Sequence, residues 1–291
     1  MNITKTLVEE LRGYISKNGV QEPILPFYKR NDFTLYHGDS LEIMSRLPDN
    51  CIDMIFADPP YMLSNDGFSC QNGRMVSVNK GKWDKSNGFE DDLLFHEAWL
   101  KQCRRILKPD GTIWVSGTYH SIYQCGFLIQ KLGFHILNDV AWFKPNAAPN
   151  LSCRFFTASH ETLIWARKDK KAKHIFNYDA MKNGRFAEDP MKKPETQMRS
   201  VWSIPTTPQS EKEFGRHPTQ KPLSLLKRII AASTNEGAII LDPFNGGGTT
   251  GIASKVLGNR QYIGIDMNQE YIELTQKKYE HLDNQKDLFS V

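Results

Sequence analysis

The chain has 291 residues, 40% hydrophobic and 24% charged, with a net charge of +4. That length and balance suit one large soluble α/β domain with an inserted segment, and exclude a fibrous or wholly disordered chain. The five cysteines are dispersed without Cys-x-x-Cys spacing and the eight histidines are scattered, so neither a disulfide framework nor a metal site is expected.

Leu7, Val8, Leu11, Tyr14 and Ile15 recur at helical spacing, which predicts a short amphipathic helix over residues 4–16. Its charged residues exclude a signal peptide, and no later stretch reaches the roughly twenty apolar residues that span a bilayer, so a cytoplasmic protein without a membrane partner is expected. A linker with Pro23 and Pro26 leads to a predicted strand, Phe33 to His37, and Ser40 is placed to cap the helix after it. The apolar run Ile52 to Ala57 predicts a buried strand that ends at Asp58-Pro59-Pro60-Tyr61.

That tetrapeptide suits the holding of a planar, weakly nucleophilic exocyclic amine. Asp58 can accept one amine hydrogen. Pro60 lacks an N–H and holds Pro59 extended, leaving the Pro59 carbonyl as a rigid acceptor for the second hydrogen. Tyr61 offers a flat face for a heteroaromatic base. Residues 62–88 then read as a polar loop with isolated Phe68 and Trp83, and a loop of that length inside a compact domain is expected to be functional.

Helical periodicity runs from Phe89 to Leu107 and stops at Pro109-Asp110-Gly111. Strand Thr112–Ser116, a helix over 121–132, strand Ile136–Phe143 and strand Thr162–Arg167 follow, and this alternation predicts a mostly parallel sheet covered by helices on both faces. The rhythm breaks over 168–216, where Lys192, Lys193, Arg199 and other basic residues alternate with Phe176, Tyr178, Phe186 and Trp202. Such a mixture fits either a solvated surface insertion or a segment contacting nucleic-acid phosphates.

His217-Pro218-Thr219-Gln220-Lys221-Pro222 precedes a helix over 223–232 and reads as a proline-started helix N-terminus able to hold a carboxylate. Strand Ala238 to Leu241 runs into Asp242-Pro243-Phe244-Asn245-Gly246-Gly247-Gly248-Thr249-Thr250, then a helix over 251–257, then strand Tyr262 to Ile265 ending at Asp266. A glycine loop at a helix N-terminus, with an acid at the next strand tip, fits a nucleoside whose ribose meets that acid. No Gly-Lys-Ser/Thr follows the glycines, which excludes a Walker loop. Asp242 just before the glycines suits a ligand with a cationic amino group, and S-adenosyl-L-methionine has one. If the strands ending at Asp58 and Asp242 are neighbours, amine and sulfonium meet at their tips, and transfer needs positioning rather than a metal.

With these residues in place, the chain resembles the β class of DNA amino-methyltransferases over about residues 31–280. The resemblance implies a doubly wound Rossmann-like α/β methyltransferase sheet with the catalytic motif first and the cofactor loop last. It makes Asp58, Pro59, Pro60 and Tyr61 catalytic. It assigns S-adenosyl-L-methionine to Asp39, Lys221, Asp242, Phe244, Gly246, Gly248, Thr249 and Asp266. Contacts to DNA fall to Trp83, Arg154, Lys192, Lys193 and Arg199. Residues 1–30 become an N-terminal helix and linker, 31–167 a catalytic half, 168–216 a target-recognition segment and 217–291 a cofactor-binding half. Gly247 stands where the class commonly has serine, which keeps the turn and removes a hydroxyl.

The stretches Ala57 to Asn65 and Ala148 to Arg154 are similar to the second methyltransferase of DpnII-type restriction–modification systems. That likeness implies adenine-N6 methylation within GATC, a flipped or single-stranded target base, a cognate restriction endonuclease and a homodimer. Among alternatives, cytosine-C5 chemistry is disfavoured because no cysteine follows a proline. Cytosine-N4 methylation shares the amine geometry and stays open. Protein or RNA amine methyltransferases reverse the motif order, a dehydrogenase leaves Asp58 to Tyr61 idle, and a pure DNA-binding protein explains neither acid-tipped strand.

Overall fold

The computed structural model describes residues 23–62 and 84–287, together with the backbone of short strands at 15–16, 19–20, 68–71 and 74–77. The first two strands, β1 (Ile15–Ser16) and β2 (Gly19–Val20), form an antiparallel pair, so the expected N-terminal helix does not extend to residue 16; its remainder lies outside the described residues.

The centre is a nine-stranded sheet. Its strands are β3 (Tyr28–Arg30), β4 (Phe33–His37), β5 (Ile52–Ala57), β8 (Leu107–Gly117), β9 (His135–Phe143), β10 (His160–Arg167), β11 (Val201–Ser203), β12 (Ile239–Asp242) and β13 (Gln261–Asp266). They lie in the order β11-β9-β10-β8-β5-β12-β13-β4-β3. Five of the eight pairings are parallel, while β10 runs antiparallel to both of its neighbours and β3 antiparallel to β4. The sheet is thus mostly parallel, as the alternation of elements predicts.

Period-two burial explains why both faces are covered. Along β5, Ile55 and Ala57 enter one apolar cluster and Met54 and Phe56 the other. Helices α1 (Ser40–Ser45), α2 (Phe89–Ile106) and α3 (Ile122–Lys131) supply residues to the first cluster. Helices α5 (Leu223–Ser233), α6 (Thr249–Leu257) and α7 (Gln269–Asp287) supply the second. In α2 the buried His96, Trp99, Leu100, Cys103 and Ile106 mark one face, with acids in the first turn and arginines in the last complementing the helix dipole.

Three local expectations change. Asp39, not Ser40, caps α1: its Oδ1 accepts the amides of Leu41 (2.8 Å) and Glu42 (3.0 Å), and Ser40 is already helical. Pro109-Asp110-Gly111 does not precede β8 but lies within it, at an irregularity where Leu107 pairs with Ile52 and Thr112 resumes opposite Met54. A bulge accommodates the proline's missing donor. The segment 62–88 is not a plain loop, because β6 (Phe68–Gln71) and β7 (Arg74–Ser77) form an antiparallel hairpin within it.

Residues 168–216 fold against the sheet rather than apart from it. The segment supplies α4 (Tyr178–Asn183) and edge strand β11, which pairs in parallel with β9. Arg228 of α5 is buried and reaches Asp189 (2.6 Å) and Glu188 (2.9 Å), with its guanidinium over the rings of Phe186 and Trp202.

Candidate active site

The chain leaves β5 to α2 and β8 on one side, and leaves β12 to α6 and β13 on the other. A crevice therefore opens at the carboxyl ends of the adjacent parallel strands β5 and β12, where Ile240 pairs with Met54 and Leu241 with Ile55. Asp58 follows β5 and Asp242 ends β12, so the neighbour relation required for amine to meet sulfonium is present. A cavity of about 740 Å³ fills the crevice. It is lined by Asp58, Pro59, Pro60 and Tyr61 and by Asp39, Lys221, Asp242, Phe244, Gly246, Thr249 and Asp266. Of the residues expected at the catalytic and cofactor sites, only Gly248 is not a lining residue.

On the side expected to hold the cofactor, strand-tip carboxylates are tied to backbone. Asp266 accepts the amides of Gly246 (2.7 Å) and Asn268 (2.8 Å), and burial raises its carboxyl above the ordinary range. Asp242 accepts the Thr250 hydroxyl (2.6 Å) and the Phe244 amide (3.0 Å). Burial pushes its carboxyl up to about 7, against the lowering effect of those two bonds. Gly246 (φ +48°) and Gly248 (φ +75°) hold left-handed backbone, and a Cβ on Gly248 would collide with the Thr275 side chain. Lys278, buried and brought down to about 8 by that burial, donates to the Gly247 carbonyl at 2.7 Å and ties the loop to α7. Phe244 packs edge-on to Trp99, 5.5 Å between ring centroids.

Around the residues expected to be catalytic lies a buried charge cluster. The Tyr61 hydroxyl lies 2.6 Å from Asp58 Oδ1, 3.0 Å from Glu161 Oε2 and 3.4 Å from Ser116 Oγ. Lys221 Nζ donates to Asp58 Oδ2 at 2.5 Å and to the Tyr61 hydroxyl at 2.9 Å, and stands 3.6 Å from Glu161 Oε2. Lys144 Nζ donates to Glu161 Oε1 at 3.1 Å. Burial raises the Asp58 carboxyl, with Lys221 opposing it. Burial also acts to raise Glu161, but the ammonium groups of Lys221 and Lys144 outweigh it and hold that carboxyl at about 2. Burial acts to lower Lys221, and Asp58 and Glu161 override it, raising its ammonium above the ordinary value. The amides of Tyr61 and Met62 donate to Asp84 Oδ1 at 2.8 and 3.0 Å, which fixes the turn after the prolines.

Two placements add to the sequence reading. Lys221, expected at the cofactor, lines the cavity and also donates to the Asp58 carboxylate. Tyr61, only 4% exposed, contributes its hydroxyl to the cluster as well as its ring to the cavity wall. Glu161, Lys144, Asp84 and Lys278 were not anticipated. A single charge at the start of an apolar strand, as in His160-Glu161-Thr162-Leu163, is the one local signal that marks Glu161.

The residues expected to contact DNA are less gathered. Arg154 is exposed in the connection between β9 and β10, beside Phe155 (67% exposed) and Phe156 (98%). Both stems of that connection, Lys144 and Glu161, belong to the charge cluster. Lys193 and Arg199 are exposed on the 168–216 segment, whereas Lys192 is half-buried and donates to the carbonyls of Lys182 (2.8 Å) and Lys193 (2.5 Å). Trp83 lies outside the described residues. Among the described residues there is no group of three or more His, Cys, Asp or Glu able to hold a metal, and no helix long and apolar enough to cross a membrane.

Comparison with known proteins gives a consistent picture. Residues 52–277 match the family described as DNA methylase. The chain is 49% identical over 256 residues to the Type II methyltransferase M2.DpnII of Streptococcus pneumoniae, covering 88% of this chain and 92% of that protein. It is 48% identical over 263 residues to the Type II methyltransferase M2.MboI of Moraxella bovis, covering 89% and 92%. Among solved structures, the M1.HpyAVI–SAM complex superposes with a TM-score of 0.61 at 26% identity, over 85% of this chain and 98% of that one. The cytosine-N4-specific PvuII DNA methyltransferase shares the fold, with a TM-score of 0.65 at 19% identity over 87% and 88% of the two chains.

Proposed function

The chain belongs to the DNA methylase family, and on that premise we propose that it transfers a methyl group from S-adenosylmethionine to the N6 amine of adenine in DNA, within GATC. The observation that carries this reading is the opening of Asp58 and Asp242, on adjacent parallel strands, into one cavity of about 740 Å³. That volume lies in the range of small-molecule sites and accommodates a nucleoside cofactor beside a flipped base.

The residues present fit the cofactor. Asp266 at the β13 tip suits ribose hydroxyls, the side-chain-free edge of Gly246 and Gly247 allows close approach, and buried Asp242 suits a cationic amino group. Asp39, Phe244 and Thr249 line the same wall. When bound, S-adenosylmethionine supplies a methyl group already activated on a sulfonium. The protein's own part is positional. Asp58 accepts an amine hydrogen and turns the nitrogen lone pair toward the methyl group, and it is the near acceptor for the proton that the amine must lose. Tyr61 and Lys221 hold the Asp58 carboxylate in one orientation.

Adenine and the GATC target rest on aspartate at position 58 and on likeness to the second methyltransferases of DpnII-type systems; a cognate endonuclease belongs to the same reading. In it, residues 168–216 and the β9–β10 connection face the DNA. Exposed Arg154, Lys193 and Arg199 support phosphate contact, and Phe155 and Phe156 offer apolar surface to bases.

The test is methyl transfer from labelled S-adenosylmethionine to unmethylated DNA, followed by nucleoside digestion and mapping of the mark. N6-methyladenine at GATC is the expected product, and Asp58→Ala should abolish it while cofactor binding persists. N4-methylcytosine would replace the proposed substrate, and label in RNA or protein alone would overturn the DNA assignment.

A further inference from the structure

Both oxygens of the Asp58 carboxylate are engaged within the protein. Oδ1 accepts the Tyr61 hydroxyl and Oδ2 accepts the Lys221 ammonium. An incoming amine therefore meets a carboxylate whose charge is already shared with a hydroxyl and an ammonium, a weaker acceptor than one released from the ammonium. Tyr61 is poorly placed to yield, since its ring is buried and its amide is anchored to Asp84. Lys221 has a flexible stem, but its ammonium cannot leave for solvent: the side chain is 5% exposed, and an unpaired ammonium at such depth is costly. A second acceptor stands beside it. Glu161 Oε2 lies 3.6 Å from Lys221 Nζ, outside hydrogen-bond range but within an ion pair, so a displacement of about 1 Å completes the bond.

The surroundings favour such a move. Glu161 keeps its other oxygen on Lys144 and is linked to Asp58 through the Tyr61 hydroxyl. Lys221 stays paired throughout the shift, and Asp58, which gives up its direct cation, keeps the Tyr61 hydroxyl and gains the amine hydrogen in exchange. The shift also draws a cation away from a nitrogen that becomes more positive as it is methylated, where a nearby ammonium is unfavourable.

We propose that Glu161 is a positioning residue that takes the Lys221 ammonium from Asp58 as the target amine enters, freeing Asp58 to accept the amine hydrogen. Lys221 holds the carboxylate in place before the base arrives, and Glu161 holds Lys221 afterwards. The inference rests on the reading of Asp58 as the amine acceptor.

The test compares binding of duplexes carrying adenine or purine, which lacks the exocyclic amine, at the position that the wild-type protein methylates, with S-adenosylhomocysteine present so that no transfer occurs. The wild-type protein should prefer adenine by about tenfold, the worth of one hydrogen bond to a charged acceptor. Glu161→Gln should bring that ratio near one with unchanged cofactor affinity, because Lys221 stays on Asp58. Adding Lys221→Met to Glu161→Gln should restore part of the preference. Lys144→Met should act in the opposite sense from Glu161→Gln and raise the ratio, since Glu161 then holds Lys221 more strongly. That variant decides the matter if Glu161→Gln does not fold. A ratio unaffected by Glu161→Gln, a double variant no better than the single, or a lowered ratio in Lys144→Met would overturn the hand-over. Equal binding of adenine and purine by the wild-type protein would instead remove the Asp58 reading itself.

Discussion

Asp242 illustrates how burial decides the work of one residue. Two donors engage its carboxylate, yet desolvation outweighs them and pushes the group up to about 7. An unfolded aspartate titrates near 3.9, so the folded protein holds the extra proton between about pH 4 and 7, and stability falls as pH rises through that window. In the cofactor-free protein, Asp242→Asn should therefore match the wild type near pH 4 and melt higher at pH 8, by about 3 °C or more. Equal melting at pH 8 would show that the buried carboxylate carries no such cost. At this same scale the tetrapeptide was legible, because proline geometry and a carboxylate act over adjacent residues. Glu161 was not. Only the antiparallel register that sets Thr162 opposite Gly117 brings it to Tyr61, and no local pattern encodes that pairing.

Among elements, the basic segment divides by what its lysine heads already touch. Lys192 gives its ammonium to two backbone carbonyls, whereas Lys193 is exposed and, among the described residues, no such tie engages its side chain. Lys193→Ala should weaken DNA binding and reduce the slope of log affinity against log salt by roughly one, as expected for one phosphate contact. Lys192→Ala should leave the salt slope almost unchanged and lower stability instead. The reverse pattern in salt titrations would exchange their roles. Periodicity located most helices and strands to within a residue or two, since burial of one face repeats within each element. It misplaced the start of β8 because Pro109 and Gly111 mimic a turn when read locally, and the bulge that absorbs them exists only through pairing with β5.

For the whole molecule, the buried Arg228 joins the 168–216 segment to the helix layer on the second face of the sheet. Removing it strands Asp189, which is 3% exposed, without its cation. Arg228→Ala should cost about 3–5 kcal/mol in denaturant unfolding, the loss typical of breaking a buried ion pair. A loss below about 1 kcal/mol, the range of surface pairs, would mean the segment is held by its apolar contacts and edge strand. By itself the sequence determined the local patterns: a strand tip suited to an amine, a glycine loop suited to a nucleoside, and an α/β alternation, each written in residues a few positions apart. The tertiary structure decided what lies beside what. Strand order placed Asp58 next to Asp242, across 184 positions of chain. Antiparallel β10 delivered Glu161 to Tyr61, and the turn before α5 carried Lys221 to Asp58. Such adjacencies follow from strand pairing and packing over the whole sheet, which depend on contacts between distant segments and leave no signature in any one of them.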